Sequence, residues 1–134
     1  HLVLLARDAT GWRSLARLVS RANLAGTKAV PKLTQALLRE HHEGLVALSG
    51  CRDGELARRL RAGDREGARA MAEAYAALFG TGESAGTSGF VLELMHHLLP
   101  DDDWLVSETA RLADELGLPV VVTNDVHYAL PYDR

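Results

Sequence analysis

Several features are scarce in this 134-residue chain, and each absence narrows the class of protein. Aromatic residues make up only 5% of the sequence, so a core must be built mainly from Leu, Val and Ala. The single cysteine, Cys51, excludes an internal disulfide framework and suits a reducing compartment. No apolar run reaches transmembrane length, and no signal-peptide pattern is present. We therefore expect a cytoplasmic protein with no membrane partner.

Charge is unevenly distributed along the chain. The net charge is −3, which argues against a chain that is a basic nucleic-acid binder throughout. Residues 1–32 nevertheless hold six basic residues and one acid. Three of them, Arg13, Arg17 and Arg21, recur at helical spacing. This stripe is interpreted as a solvated helix face or, alternatively, as a surface that meets DNA or another domain.

Short apolar runs alternate with helical patterns along the sequence. This alternation predicts an α/β fold, with a parallel sheet covered by helices. The predicted strands are residues 1–6, 45–51, 90–95 and 119–125. The predicted helices occupy most of the intervening segments, except for a Gly-rich stretch, "TGESAGTSG", which predicts a flexible loop at 81–89.

Helix ends and faces can also be read from the pattern. Thr10 is predicted to cap the first helix and Gly26 to end it; Asp53 and Asp64 are predicted to cap two later helices. Helical spacing predicts one buried face on the first helix, made of Trp12, Leu15, Leu18, Val19 and Ala22. The chain begins "HLVLLA", without Met and inside a strand-like run, so we expect it to be a piece of a larger protein.

Polar side chains end or follow three of the predicted strands. Cys51 ends the second, His96 and His97 follow the third, and Asp125 ends the fourth, with His127 two residues later. In parallel α/β folds the carboxyl ends of the strands meet at one rim, and catalytic and ligand-binding residues usually lie there. Cys, His and Asp are ligands for zinc and related transition metals. Each residue alone also has a structural interpretation: a buried thiol, a surface histidine or a turn-forming carboxylate.

Three segments, "EGLVALSGC", "VLELMHHLLP" and "LPVVVTNDVHY", resemble in their order the PHP (polymerase and histidinol phosphatase) domain of bacterial C-family DNA polymerases. The opening "HLVLLARDATGWRSLARLVS" resembles a strand and helix of the same family. Two further segments, "LAGTKAVPK" and "HHLLPDDDWLVSETARLA", are most similar to the error-prone branch that acts in damage-induced mutagenesis.

The resemblance implies part of a distorted (βα) barrel, with residues 1–134 forming a single partial PHP domain. It implies metal ligands at Cys51, His97, Asp125 and His127, and for Glu93, inside its strand, either a role in supporting these ligands or a structural role. The full domain would hold a divalent transition metal, Zn or Mn. The family's His-x-His motif and one acid-bearing strand have no counterpart here, so we expect this chain alone to be inactive and to bind metal weakly if at all.

Three functions follow from the resemblance. The first is a metal-dependent phosphoesterase-like module of an error-prone DNA polymerase III alpha-type enzyme, a nucleotidyltransferase. The second is a structural module without chemistry, and the third is a stand-alone PHP phosphatase. The implied partners are other polymerase domains, accessory subunits and, through the full-length protein, DNA. Because its first strand would lack a neighbour, we also expect the isolated chain to self-associate.

Overall fold

The computed structural model describes residues 1–28, 30–81 and 89–124. Strands and helices alternate along most of this part of the chain, as the sequence predicts. None of the helices in these ranges is both long and apolar enough to cross a membrane. In chain order the elements are β1 Val3–Ala6, α1 Ala9–Ala25, α2 Gln35–Glu40, β2 Leu45–Leu48, α3 Glu55–Arg61, α4 Arg65–Phe79, β3 Phe90–Leu94, α5 Asp102–Leu116 and β4 Val120–Val122.

The strands form one sheet in the order β1-β2-β3-β4. The β2–β3 and β3–β4 pairs are parallel, which confirms the prediction for these strands. The prediction of a parallel sheet is wrong for β1, which pairs antiparallel with β2 in a register that places Ala6 opposite Leu45. Two helices, α1 and α2, carry the chain away from the end of β1 and back to the same end of the sheet. A parallel crossover would instead return it to the other end.

A close backbone contact fixes the start of α1 against the start of β2. The Arg7 N–H donates to the Gly44 carbonyl oxygen at 3.0 Å. A Cβ atom at Gly11 would collide with that same carbonyl oxygen. Gly44 has a φ of +71°, in the region that side chains rarely adopt. Glycine at both positions therefore lets the helix and the strand meet at backbone distance.

This contact sets the rotation of α1 and overturns two predictions about it. The N-cap is Asp8, whose carboxylate accepts from the Thr10 and Gly11 N–H groups, so Thr10 is not the cap. Trp12 and Val19 are exposed, at 67% and 55%, instead of buried. With Gly11 turned toward the sheet, the helical repeat buries Gly11 and Ser14 together with Leu18 and Ala22, and the last two are buried as predicted.

The ends of the other helices follow the sequence in most cases. Asp64 caps α4 by accepting from the Gly67 N–H, and Gly80 ends that helix, both as predicted. Gly26 ends α1, also as predicted. The prediction for Asp53 is wrong, because α3 begins after Gly54, which offers no side-chain cap. The Asp53 side chain is exposed and does not cap the helix, so its carboxylate can bind a ligand instead.

The core lies between the sheet and the helices α3, α4 and α5. Phe90 and Leu92 of β3 and Leu112 of α5 are fully buried at its centre. A smaller cluster, made of Leu18, Leu38 and Leu45, joins α1 and α2 to the start of β2. Most of the predicted loop at 81–89 lies outside the described residues. The packed part of the molecule thus positions the carboxyl ends of β2 and β3 firmly.

Candidate metal centre

The sheet brings chain segments from four strands to one rim. The carboxyl ends of the parallel strands β2, β3 and β4 lie at this rim. Because β1 is antiparallel, its amino end lies there as well. The rim therefore receives His1 before β1, Cys51 after β2, His97 after β3 and Asn124 after β4.

Three possible metal ligands come together at this rim. The Nδ1 atom of His1 lies 3.4 Å from the Sγ atom of Cys51. Together with a carboxylate oxygen of Asp53, these ligand atoms all lie within 4.8 Å of one another. Cys51 is half-buried, and the other two residues are exposed. One imidazole nitrogen, one sulfur and one carboxylate oxygen form a donor set suited to zinc and similar transition metals.

Glu93 lies beside this cluster, inside β3 and only 9% exposed. Its backbone N–H donates to the Ser49 hydroxyl oxygen at 2.9 Å, and its Oε1 atom accepts from the Thr123 hydroxyl at 2.6 Å. Its other oxygen, Oε2, is buried without a hydrogen-bond partner among the described residues. A buried carboxylate oxygen left unpaired is costly. Glu93 thus fits a site that is completed by a cation or by water bound to one.

Glu93 connects two neighbouring clefts of the rim. One cleft is lined by Cys51, Glu93, His97 and Asp102, among others. The other is lined by His1, Cys51, Glu93 and Thr123, among others. Cys51 and Glu93 belong to both clefts, so the predicted ligands Cys51 and His97 share one cavity, and His1 shares the other with Cys51.

The turn after β3 is fixed by Asp102, which is 1% exposed. Its Oδ2 atom accepts from the Leu99 and His97 N–H groups, at 3.0 and 2.7 Å. Its Oδ1 atom accepts from Arg52 at 2.5 Å. These contacts hold the pKa of Asp102 below its ordinary value. The backbone N–H of Leu99 contributes most, followed by the backbone N–H of His97 and the guanidinium of Arg52. The backbone that carries His97 is therefore firmly anchored.

The two adjacent histidines after β3 occupy different surroundings. His97 is exposed and lines the cleft that contains Cys51. The His96 Nε2 atom lies 2.8 Å from the Asp103 carboxylate, outside that cleft. Of the two, His97 is therefore the one that shares a cleft with Cys51, and its role as a ligand stays a prediction.

Two of the four predicted ligands, Cys51 and His97, are placed by the structure. The other two, Asp125 and His127, lie outside the described residues, and their role stays a prediction. Sequence reasoning missed His1, because a parallel β1 would have carried its amino end to the opposite edge of the sheet. It also assigned Asp53 to a helix cap. A histidine at the start of a strand would have been a usable signal only if the strand direction had been known.

Comparison with known proteins places the chain in a family. The model of the PHP domain matches residues 1–97. The chain is 40% identical over 128 residues to the DNA polymerase III subunit alpha of Saccharopolyspora erythraea, covering 96% of this chain and 10% of that protein. The same subunit of Treponema pallidum is 39% identical over 129 residues, covering 96% of this chain and 10% of that protein. The same subunit of Deinococcus radiodurans is 38% identical over 133 residues, covering 99% of this chain and 9% of that protein.

The chain thus spans about a tenth of the length of these relatives. The matched region contains His1, Cys51 and Asp53, together with Glu93 and His97. The mixed α/β architecture agrees with this match, and the chain belongs to the PHP domain family.

Proposed function

We propose that the chain is a metal-dependent phosphoesterase-like module of a DNA polymerase III alpha-type enzyme. The observation that carries this proposal is the meeting of His1, Cys51 and Asp53 next to Glu93, one carboxylate oxygen of which has no hydrogen-bond partner within the described residues. The parallel strands β2 and β3, together with the antiparallel β1, bring these groups to one rim from positions up to 92 residues apart.

A divalent transition metal, Zn²⁺ or Mn²⁺, would be held by Cys51 and His97 with the predicted Asp125 and His127, and His1 and Asp53 extend this donor set. When bound, such an ion polarises a phosphoryl oxygen and lowers the pKa of a bound water. The chain's own contribution is positional. Asp102 anchors the turn that carries His97, and Glu93 ties the end of β4 to β3 through Thr123.

The larger context is proposed from the relatives and from sequence resemblance. The relatives are named as DNA polymerase III alpha subunits, so the proposed whole protein is a cytoplasmic DNA-directed DNA polymerase. Its other domains, accessory subunits and DNA would be the partners. The segments at 24–32 and 96–113 support assignment to the error-prone branch that acts after DNA damage.

A structural module without chemistry is the second candidate, and exposed apolar side chains favour it. Leu5 of β1 is 49% exposed, and Val120 and Val122 of β4 are 47% and 79% exposed. These outer strands of the described sheet expose apolar surface, as expected for a segment that packs against further polymerase domains. The same surface supports the expectation that the isolated chain self-associates.

Cobalt titration of the chain separates these two candidates. Co²⁺ substitutes for Zn²⁺ and gives a thiolate-to-metal charge-transfer band only when a cysteine sulfur coordinates it. We expect weak binding with this band, lost in Cys51→Ser and weakened in His1→Gln. His96→Gln serves as the matched control for His97→Gln, because the two residues are adjacent and both exposed. Binding without the band, or a band unaffected by His1→Gln and His97→Gln alike, would favour the structural module.

A further inference from the structure

One exposed face of α1 carries a row of positive charge. Arg13, Arg17 and Arg21 are all exposed and stand four residues apart, so successive side chains are about 6 Å apart along the helix axis. The helix, Ala9–Ala25, contains no Asp or Glu. We call these three residues the α1 basic row.

The α1 basic row makes no ion pair with the residues that the structure describes. Arg13 only donates to the Thr10 hydroxyl oxygen, at 3.1 Å. Most other arginines in the described ranges pair with carboxylates, namely Arg7, Arg52, Arg59, Arg61, Arg65, Arg69 and Arg111. The positive charge of the row is therefore not neutralised within the described fold.

Two neighbouring features extend this surface. Trp12 precedes Arg13 and has 67% of its surface exposed, although indole rings are usually more deeply buried. Because each residue turns the helix by about 100°, the Trp12 side chain borders the α1 basic row on one side instead of standing in it. At the other end of α1, the Lys32 N–H donates to the Ala22 carbonyl oxygen at 2.9 Å. This bond holds the backbone of the exposed Lys32 against the last turn of α1, so a further positive charge lies near the end of the helix.

We propose that this face of α1 binds the backbone of single-stranded DNA. Guanidinium groups bind phosphates through paired N–H donors, and a row of them along one helix can contact successive phosphates. Trp12 offers a flat ring on which an unpaired base can stack, which favours a single strand over a duplex. None of these side chains lines the two clefts that contain Cys51. The surface is thus separate from the metal centre and would hold a strand independently of it.

Tryptophan fluorescence tests the proposal directly, because the chain contains only two tryptophans. In Trp104→Phe, the remaining fluorophore is Trp12, and oligo-dT is expected to quench it. In Trp12→Phe, the remaining Trp104 is expected to stay unquenched. The affinity of the Trp104→Phe chain is then measured over a series of salt concentrations.

Two double variants with the same charge change give the matched comparison. The affinity falls as salt rises, so log affinity plotted against log salt has a negative slope. In the Trp104→Phe background, Arg17→Gln with Arg21→Gln is expected to make this slope shallower by about 1.4, which is about 0.7 for each lost phosphate contact. Arg39→Gln with Arg58→Gln removes two exposed arginines from α2 and α3 and is expected to leave the slope unchanged. Circular dichroism checks that each variant is folded.

Four results would overturn the proposal. The first is no quenching of Trp12, and the second is an equal loss of slope in both double variants. The third is equal displacement of oligo-dT by a poly-glutamate peptide, which would identify a general polyanion surface or an acidic protein partner. Tighter binding of duplex DNA or of oligo-rU than of oligo-dT would likewise contradict a single-stranded DNA surface.

Discussion

The arginines of α1 and those of α3, α4 and α5 differ in what surrounds them. Arg65 on α4 pairs with Glu115 on α5, 50 positions along the chain, with an Nη2–Oε1 distance of 2.7 Å. Arg52, just before α3, pairs with both Asp101 and Asp102 at the start of α5. On α1, the exposed Arg17 and Arg21 make no such pair within the described part of the chain.

This difference separates charges that contribute to the fold from charges available to a partner. Helices α3, α4 and α5 pack around one core, so acidic and basic side chains of neighbouring helices come into contact. The outer face of α1 meets no other described element, and its arginines face solvent. The same contrast holds for apolar residues, since Leu112 of α5 is fully buried and Trp12 of α1 is mostly exposed.

The largest expected difference between the regions comes from their apolar residues. Leu112→Ala should lower the free energy of unfolding by about 2–5 kcal/mol, because it removes fully buried methyl groups and leaves a cavity. Trp12→Ala should change it by about 0.5 kcal/mol or less, because the ring is mostly in water. Urea unfolding followed by circular dichroism measures both. A comparable loss in the two variants would mean that α1 packs its outer face against the rest of the chain.

A smaller effect is expected at Asp64, where a helix cap and an ion pair coincide. The Gly67 N–H, and then Arg59, lower the pKa of Asp64 in the folded protein. Ionised Asp64 therefore stabilises the fold above its unfolded pKa of about 3.9, and this stabilisation is lost as the pH falls through the lower folded value.

Asp64→Ala should accordingly lower the urea midpoint at neutral pH, and the difference from the wild type should shrink in acid. Asp64→Asn keeps a capping side chain and should cost less. Unfolding curves at a series of pH values check both variants. A difference that stays constant from neutral to acidic pH would show that the charge of Asp64 is unimportant.

The smallest effects are expected from single arginines, and they should differ in sign between the regions. Arg65→Gln removes the pairs with Glu108 and Glu115 and should lower the urea midpoint slightly. Arg17→Gln removes like-charge repulsion with Arg13 and Arg21 and should raise stability by about 0.2–0.5 kcal/mol for each pair relieved. Both effects should diminish at high salt. Destabilisation by Arg17→Gln would reveal a partner for Arg17 within the chain.

Local sequence patterns determined the elements of this protein. The strand positions, the capping of α4 by Asp64 and the ends of α1 and α4 at Gly26 and Gly80 follow from patterns that span only a few residues. The fold class and the approach of Cys51 and His97 to one cavity also follow, because parallel β2 and β3 place their carboxyl ends together.

Only the tertiary structure decided the direction of β1, the rotation of α1 and which residues lie at the rim of the sheet. Helical spacing alone allowed Trp12 to be buried, but the backbone contact between Gly11 and Gly44 turned that face outward. Strand spacing alone could not show that β1 runs antiparallel, which brings His1 within 3.4 Å of Cys51 across 50 positions. The physical reason is the same in both cases. A residue's neighbours along the chain set its local conformation, whereas its neighbours in space depend on contacts between segments that the local pattern does not encode.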